Sequence, residues 1–409
     1  MLTDVLCVIL IALIALAVGT GELEAAPLPA IERIDLSEAR IPSTVDGQEQ
    51  PIVVGVPESY EEGKALPLLV GLHTWSSQYL QMVKEYGEPA AEHQWLLVCP
   101  HFRGPNLTTN PKATQAGGSL LAQHDIIDAI EYMKANYAVD DLRIYIIGGS
   151  GGGHMTSLMC SKYPDVFAAG VAYCPITSLK DWHAQGNPYA KHVEAVCAGK
   201  PGDSPEIDFE YTRRSPRTFI TNAANCRLLI SHGDKDGTIW TSQSWETYAK
   251  LRPLNHKVVF ESWSAGHVGN TPSGIKWLST KVRSTDVPEH LQIVTDEAKS
   301  YFWLYLAPTE GLTLAKCTAK LSRTSPKEGD AAAQKVELSL NCKDAAEVRV
   351  DLEALGLQAP PELPEGVKRV QLNALGLQWP EELPQGVKLE GSELLLTPGA
   401  GDATYKITL

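Results

Sequence analysis

The sequence predicts an α/β protein, a doubly wound and mostly parallel β-sheet with a small β-rich domain at its C-terminal end. Three features lead to this reading. Between about Gln50 and Trp263, short apolar strands alternate with helical segments, a pattern that implies right-handed crossovers and strands running side by side. Asp141–Gly148 (DLRIYIIG) is too apolar to have a wet face, as expected of a parallel strand covered on both sides. Near Pro308 the alternation gives way to isolated strands around a duplicated segment.

In chain order, Val5–Val18 is an unbroken apolar run. It is short for a bilayer span and the right size for a signal-peptide core. Ala25-Ala26 before Pro27 suits cleavage, so residues 1–26 are read as a leader and the protein as secreted or periplasmic. Asp4 stands where a basic flank is usual, which keeps an uncleaved anchor as the alternative. Residues 27–47, rich in proline and charge, read as an exposed lead-in.

The catalytic domain is expected over 48–307. Its strands are Pro51–Val56, Leu66–His73, Trp95–Pro100, Asp141–Gly148, Ala168–Tyr173, Cys226–His232 and Lys257–Trp263. Helices are expected at Leu120–Tyr137, Ser150–Tyr163, around Ser242–Leu251 and at Ala298–Leu306. Residues 175–225 show no period and form a candidate cap. In 308–409, Leu314–Ser322, Val336–Asn341 and Ala403–Leu409 read as strands. Residues 350–368 and 370–388 agree at about fourteen of nineteen positions, an internal repeat too short for a solenoid.

The 409 residues, 44% hydrophobic and 21% charged, carry a net charge of −14 without a lysine or arginine cluster. Nucleic acid is therefore not an expected partner. No C-x-x-C pair suggests zinc. Cys317 and Cys342 are the expected disulfide partners, both lying in the C-terminal domain.

Gly148-Gly149-Ser150-Gly151-Gly152 fits the pattern G-x-S-x-G between a strand and a helix. Glycines flank such a serine because a Cβ would collide on the tight turn. A serine needs a base and an orienting acid, which in this arrangement follow in the order acid, then histidine. Asp234 and Asp236 follow the strand Cys226–His232, and His267 follows the strand Lys257–Trp263. Ends of parallel strands are where such sheets bind ligands.

With these motifs, Gln50–Pro308 resembles the α/β-hydrolase superfamily, in its prolyl-oligopeptidase-like and related esterase branch. The matching text is Val139–Tyr145 leading into Gly148–Gly153, then His232-Gly233-Asp234-Lys235-Asp236, then Gly266-His267. The resemblance implies Ser150 as nucleophile, His267 as base and Asp236 rather than Asp234 as the acid. The oxyanion hole is expected from the backbone N–H of Gly151 and of Trp75, with Thr74 as the reserve. Trp75, Trp182 and Trp263 are the candidate substrate-binding residues. His73 is expected to prop the oxyanion loop and His154 to be structural. Neither cofactor nor metal is implied. The expected substrate is a small-molecule or carbohydrate ester. A peptide is the rival, weakened because no propeller-sized segment precedes the first strand, and a non-catalytic binding protein is the third reading.

Overall fold

In the computed structural model, residues 28–324, 335–357, 387–390, 392–396, 398 and 402–408 are described. The first part of the chain forms β1 (Ile34–Pro42), β2 (Glu49–Pro57), β3 (Leu66–Leu72), α1 (Leu80–His93), β4 (Leu96–Pro100), α2 (Leu120–Asn136), β5 (Val139–Gly149), α3 (Gly151–Lys162) and β6 (Ala169–Tyr173). Four short helices follow, α4 (Leu179–Ala184), α5 (Ala190–Cys197), α6 (Pro205–Arg213) and α7 (Pro216–Phe219). Then come β7 (Arg227–Gly233), α8 (Thr241–Leu251), β8 (Val259–Trp263) and α9 (Thr271–Leu278). The eight strands make one sheet in the order β1-β2-β4-β3-β5-β6-β7-β8. β1, β2 and β4 pair antiparallel, and from β4 to β8 every pairing is parallel.

The apolar strands are explained by burial on two faces. Leu68, Val70, Ile144 and Ile146 pack with Ile126 and Ile130 of α2 and Leu158 and Met159 of α3. Their neighbours Leu69, Tyr145 and Ile147 pack on the other face with Met82 and Tyr86 of α1 and Ile275 of α9. Successive side chains of a strand alternate between faces, so a strand covered on both must be apolar throughout.

The remaining strands are β9 (His290–Thr295), β10 (Lys299–Tyr301), β11 (Leu304–Pro308), β12 (Ala315–Thr324), β13 (Lys335–Lys343), β14 (Ala345–Asp351), β15 (Val387–Glu390), β16 (Glu393–Leu396) and β17 (Ala403–Thr408). They form two antiparallel sheets, β10-β11-β14-β16-β15 and β17-β13-β12-β9, which share one core containing Leu291, Leu306, Leu321, Leu340, Val348 and Leu394. The β-rich C-terminal part is a sandwich. Cys317 and Cys342 face each other across β12 and β13, their sulfurs in contact at 2.9 Å without a bond between them. The body of the internal repeat, 358–386, lies outside the described residues.

Two expectations are corrected. Ala298–Leu306 is not a helix but a hairpin, in which Tyr301 pairs with Leu304 and Phe302 turns at φ 56°. Its aromatic residues serve a strand as well as a helix, and β9 to β11 put the start of the sandwich ahead of the boundary expected at 308. The lead-in is not loop throughout, because β1 runs along the sheet edge with Ile34 and Ile41 buried.

Chain from the sandwich reaches into the first part. Asp296 and Glu297, just past β9, meet Lys162 in the last turn of α3. Lys162 Nζ lies 2.5 Å from Asp296 Oδ1 and 3.5 Å from Glu297 Oε1, an ion pair rather than an aligned hydrogen bond. Arg213 Nε of α6 donates to Asp296 Oδ2 at 2.8 Å, and the ring of His124 in α2 meets Glu297 at 3.0 Å. The Lys162 and Asp296 side chains are wholly buried.

Candidate active site

The candidate residues converge at the C-terminal edge of the parallel strands. Ser150 follows β5, Cys174 follows β6, Asp236 follows β7 and His267 follows β8. Ser150 sits at φ 57°, ψ −116°, a backbone state that an L-residue holds only under constraint. Its N–H donates to Tyr173 O at 2.8 Å, and its C=O accepts from His154 N–H at 2.8 Å in the first turn of α3. The flanking glycines are sterically required: a Cβ on Gly152 would lie 2.1 Å from Leu72 O, and one on Gly148 would lie 2.6 Å from the Gly152 backbone. The turn thus presents Ser150 at the positive end of α3.

Asp236 is buried and saturated. Its Oδ1 accepts from the N–H groups of Thr238 (2.8 Å) and Ile239 (3.0 Å), and its Oδ2 accepts from His267 Nδ1 (2.7 Å) and His232 Nε2 (3.0 Å). Burial alone would raise its pKa, yet the four donors hold the carboxyl well below the usual carboxylate range. Asp234 instead lies exposed in the turn, its N–H donating to Trp263 O.

With Nδ1–H turned to Asp236, His267 keeps Nε2 for a reacting proton. Burial lowers the pKa of this imidazole, but Asp236 and the Cys174 thiol overcome it and bring the value up to about 9. A saturated carboxylate can orient such an imidazole and stabilise its cation; the His267 ring also meets the Cys174 thiol, and no hydrogen bond joins it to Ser150 Oγ.

The loop after β3 lies against this turn. A Cβ on Gly151 would stand 2.3 Å from Trp75 N, so the two backbone N–H groups are close neighbours. Thr74 N–H is engaged by Gln81 Oε1 at 3.2 Å. Of these two loop N–H groups, it is that of Trp75 which lies beside Gly151 and that of Thr74 which already has a partner. His73 braces its loop: its ring nitrogens face Thr74 O at 2.9 Å and His101 O at 2.7 Å, burial lowers its pKa so that the neutral ring donates to one of the two, and it stacks on Phe102 at 3.9 Å. His154 is buried, with Nε2 on Arg214 O. Asn106 adds a further brace, since its N–H donates to Trp75 O at 2.9 Å and its buried amide oxygen accepts from Gly117 N–H.

The three tryptophans fare differently. Trp75 and Trp182 are each 1% exposed and pack edge to face at 4.9 Å, in a core shared with Ile176, Leu179, Val193 and Ile239. Trp182 Nε1 donates to Thr238 O in the acid loop at 3.0 Å. Neither ring has a face open to a substrate, so both are pillars that fix the loops. Trp263 is half-buried at the end of the edge strand β8.

Sequence reasoning gave no role to Cys174 and His232. His232 was legible as the first residue of the His-Gly pair. Its Nε2 faces both Asp236 Oδ2 and Ile239 O, so it carries the proton there, while Nδ1 accepts from Ser244 at 2.7 Å. Cys174, His232 and Asp236 place a thiol, an imidazole and a carboxylate within 4.8 Å. With His232 Nε2 donating and Asp236 filled, this group lacks the free lone pairs that a metal ion would need.

The eight-stranded, mostly parallel sheet with helices on both faces is the α/β-hydrolase fold. Residues 121–281 match the prolyl oligopeptidase family. Among curated proteins, acetylxylan esterase A of Emericella nidulans is 21% identical over 53% of this chain and 72% of its own length. Feruloyl esterase B of Talaromyces stipitatus is 30% identical over 42% of this chain, which spans about half (49%) of that relative. Among solved structures, a candidate dipeptidyl aminopeptidase IV from Bacteroides ovatus superposes at TM-score 0.50 with 17% identity, over 60% of this chain and 34% of that one. The likeness of that structure is one of fold.

Proposed function

We propose that this protein is an exported serine hydrolase that cleaves carboxylic esters through an acyl-enzyme. The observation that carries the reading is the 2.7 Å contact of His267 Nδ1 with a saturated Asp236, at the strand edge that also carries the strained Ser150. His267 Nε2 takes the hydroxyl proton as Ser150 Oγ bonds to the acyl carbon. Backbone N–H groups of Gly151 and Trp75 stabilise the tetrahedral oxyanion. The alcohol leaves with the proton from His267, and water then attacks the acyl-enzyme by the same route, returning the acid and free Ser150.

Ester rather than peptide is favoured by the two curated relatives, both named as esterases. Chemistry agrees, because an alkoxide leaves more readily than an amine and needs less of the substrate held in register. Peptide cleavage is the second reading, favoured by the prolyl oligopeptidase match. Residues 175–225 act as the cap in this reading, and residues 1–26, which lie outside the described residues, as the export leader. The test is fluorophosphonate labelling together with hydrolysis of p-nitrophenyl acetate and of prolyl and alanyl anilides. Labelling and ester cleavage should both vanish in Ser150→Ala, and the ester should be cleaved much faster than the anilides. A folded Ser150→Ala protein that still labels would remove the serine from its role, and comparable anilide cleavage would favour the peptidase.

A further inference from the structure

Large apolar side chains are mostly buried in this molecule, yet the Trp240 side chain is open, with the residue 57% exposed. It stands four positions after Asp236, on the segment whose Thr238 and Ile239 N–H groups hold that carboxylate. Its own position is fixed. With the Gln185 amide turned so that its oxygen faces the loop, Trp240 Nε1–H and N–H both donate to that oxygen, at 3.1 and 3.0 Å. Gln185 ends α4, and its neighbours Trp182 and Asn187 donate to Thr238 O. Three cap residues thus clamp the acid loop and hold one indole rigid.

An exposed indole whose polar edge is already satisfied offers only its ring faces. Holding it rigid keeps a broad apolar plane in water beside the candidate catalytic acid, where an unfixed side chain would fold down or rotate. A flat ligand with C–H groups on one side and hydroxyls at its rim suits such a plane: the face of a pyranose ring. Aromatic planes of this kind contribute affinity at little entropy cost because they are ordered beforehand.

We propose that Trp240 is a carbohydrate platform, stacking on a sugar ring of an acylated polysaccharide whose ester lies over Ser150. This deepens the esterase reading and rests on it for the location of the ester. Trp245 makes the contrast. It is similarly exposed, but it lies on α8 with its ring against Tyr248 and Phe260, at 5.7 Å from each, and has no tie to the acid loop.

The experiment is calorimetric titration of the full-length Ser150→Ala protein with xylohexaose, which needs no ester and no turnover. Binding should be measurable. Adding Trp240→Ala should weaken it by about 10-fold or more, and adding Trp240→Phe by only about 3-fold, since a ring face remains. Adding Trp245→Ala should leave it unchanged. Affinity within twofold of the parent after Trp240→Ala, or no binding by the parent, would overturn the platform. So would a Trp240→Ala enzyme that loses rate on methyl ferulate but none on acetylated xylan, because the ring would then serve the acyl group. Failure of the esterase reading is seen separately, as a wild-type protein inert towards p-nitrophenyl acetate.

Discussion

Replacing Asp296 with alanine tests how the sandwich is joined to the helix that starts at Ser150. The carboxylate is wholly buried between Lys162 Nζ at 2.5 Å and Arg213 Nε at 2.8 Å. Removing it leaves the buried Lys162 ammonium with Glu297 alone, at 3.5 Å. Taking one partner from a buried pair costs about 3–5 kcal/mol, because the remaining charge stays desolvated. Glu297 offsets part of this, which puts the expected loss nearer about 3 kcal/mol. Urea unfolding followed by far-ultraviolet circular dichroism would measure it. Lys162→Met combined with Asp296→Leu should recover much of the loss, since the buried ammonium is gone while Arg213 keeps Glu210 at 3.4 Å and Glu297 keeps His124 at 3.0 Å. A loss below about 1 kcal/mol, the scale of a solvent-exposed pair, would refute the reasoning.

Three further outcomes are expected. Asp236→Asn should lower turnover on p-nitrophenyl acetate by about 10⁴-fold by disturbing the tautomer of His267, whereas Asp234→Asn should have little effect; equal losses would reassign the acid. Because Asp236 and Cys174 bring His267 up to about 9, against the downward pull of burial, the base is neutral only at high pH, and the acid limb of kcat/KM should lie well above the ordinary 6.5. Burial lowers Lys299 to about 7, so between there and its unfolded value near 10.5 the unfolded chain binds the extra proton. Stability of the wild type relative to Lys299→Met should therefore rise as pH goes from 7 to 10, and a flat difference in melting temperature would count against this.

What the sequence revealed follows from which surfaces are covered. Strands β3 to β7 read as apolar runs because helices cover both faces, and the ends of β5, β7 and β8 led to the candidates Ser150, Asp236 and His267. β1 stayed hidden because its burial is confined to a few positions, with charged residues between Ile34 and Ile41. The hairpin at Lys299–Pro308 was misread because a run of aromatic residues carries no period over so few positions. Trp75 and Trp182 were expected at the substrate because their size announces them, but composition does not tell a pillar from an open face. Trp240 lay in the same loop as the acid, and only the Gln185 contact distinguishes it. The Lys162–Asp296 pair joins distant segments, and nothing local to either residue signals the other.

The burial of Asn106 bears on how the protein is produced. Asn106-Leu107-Thr108 is an acceptor sequence for N-linked glycan, and oligosaccharide is attached to such sites while the chain is still entering a eukaryotic secretory pathway. In the folded molecule that amide is 1% exposed and its oxygen is held by Gly117 N–H. A glycan added first would leave no room for this burial and would free the backbone that braces Trp75. Yeast or insect secretion would therefore set modification against folding at a single asparagine, and a bacterial host removes the contest.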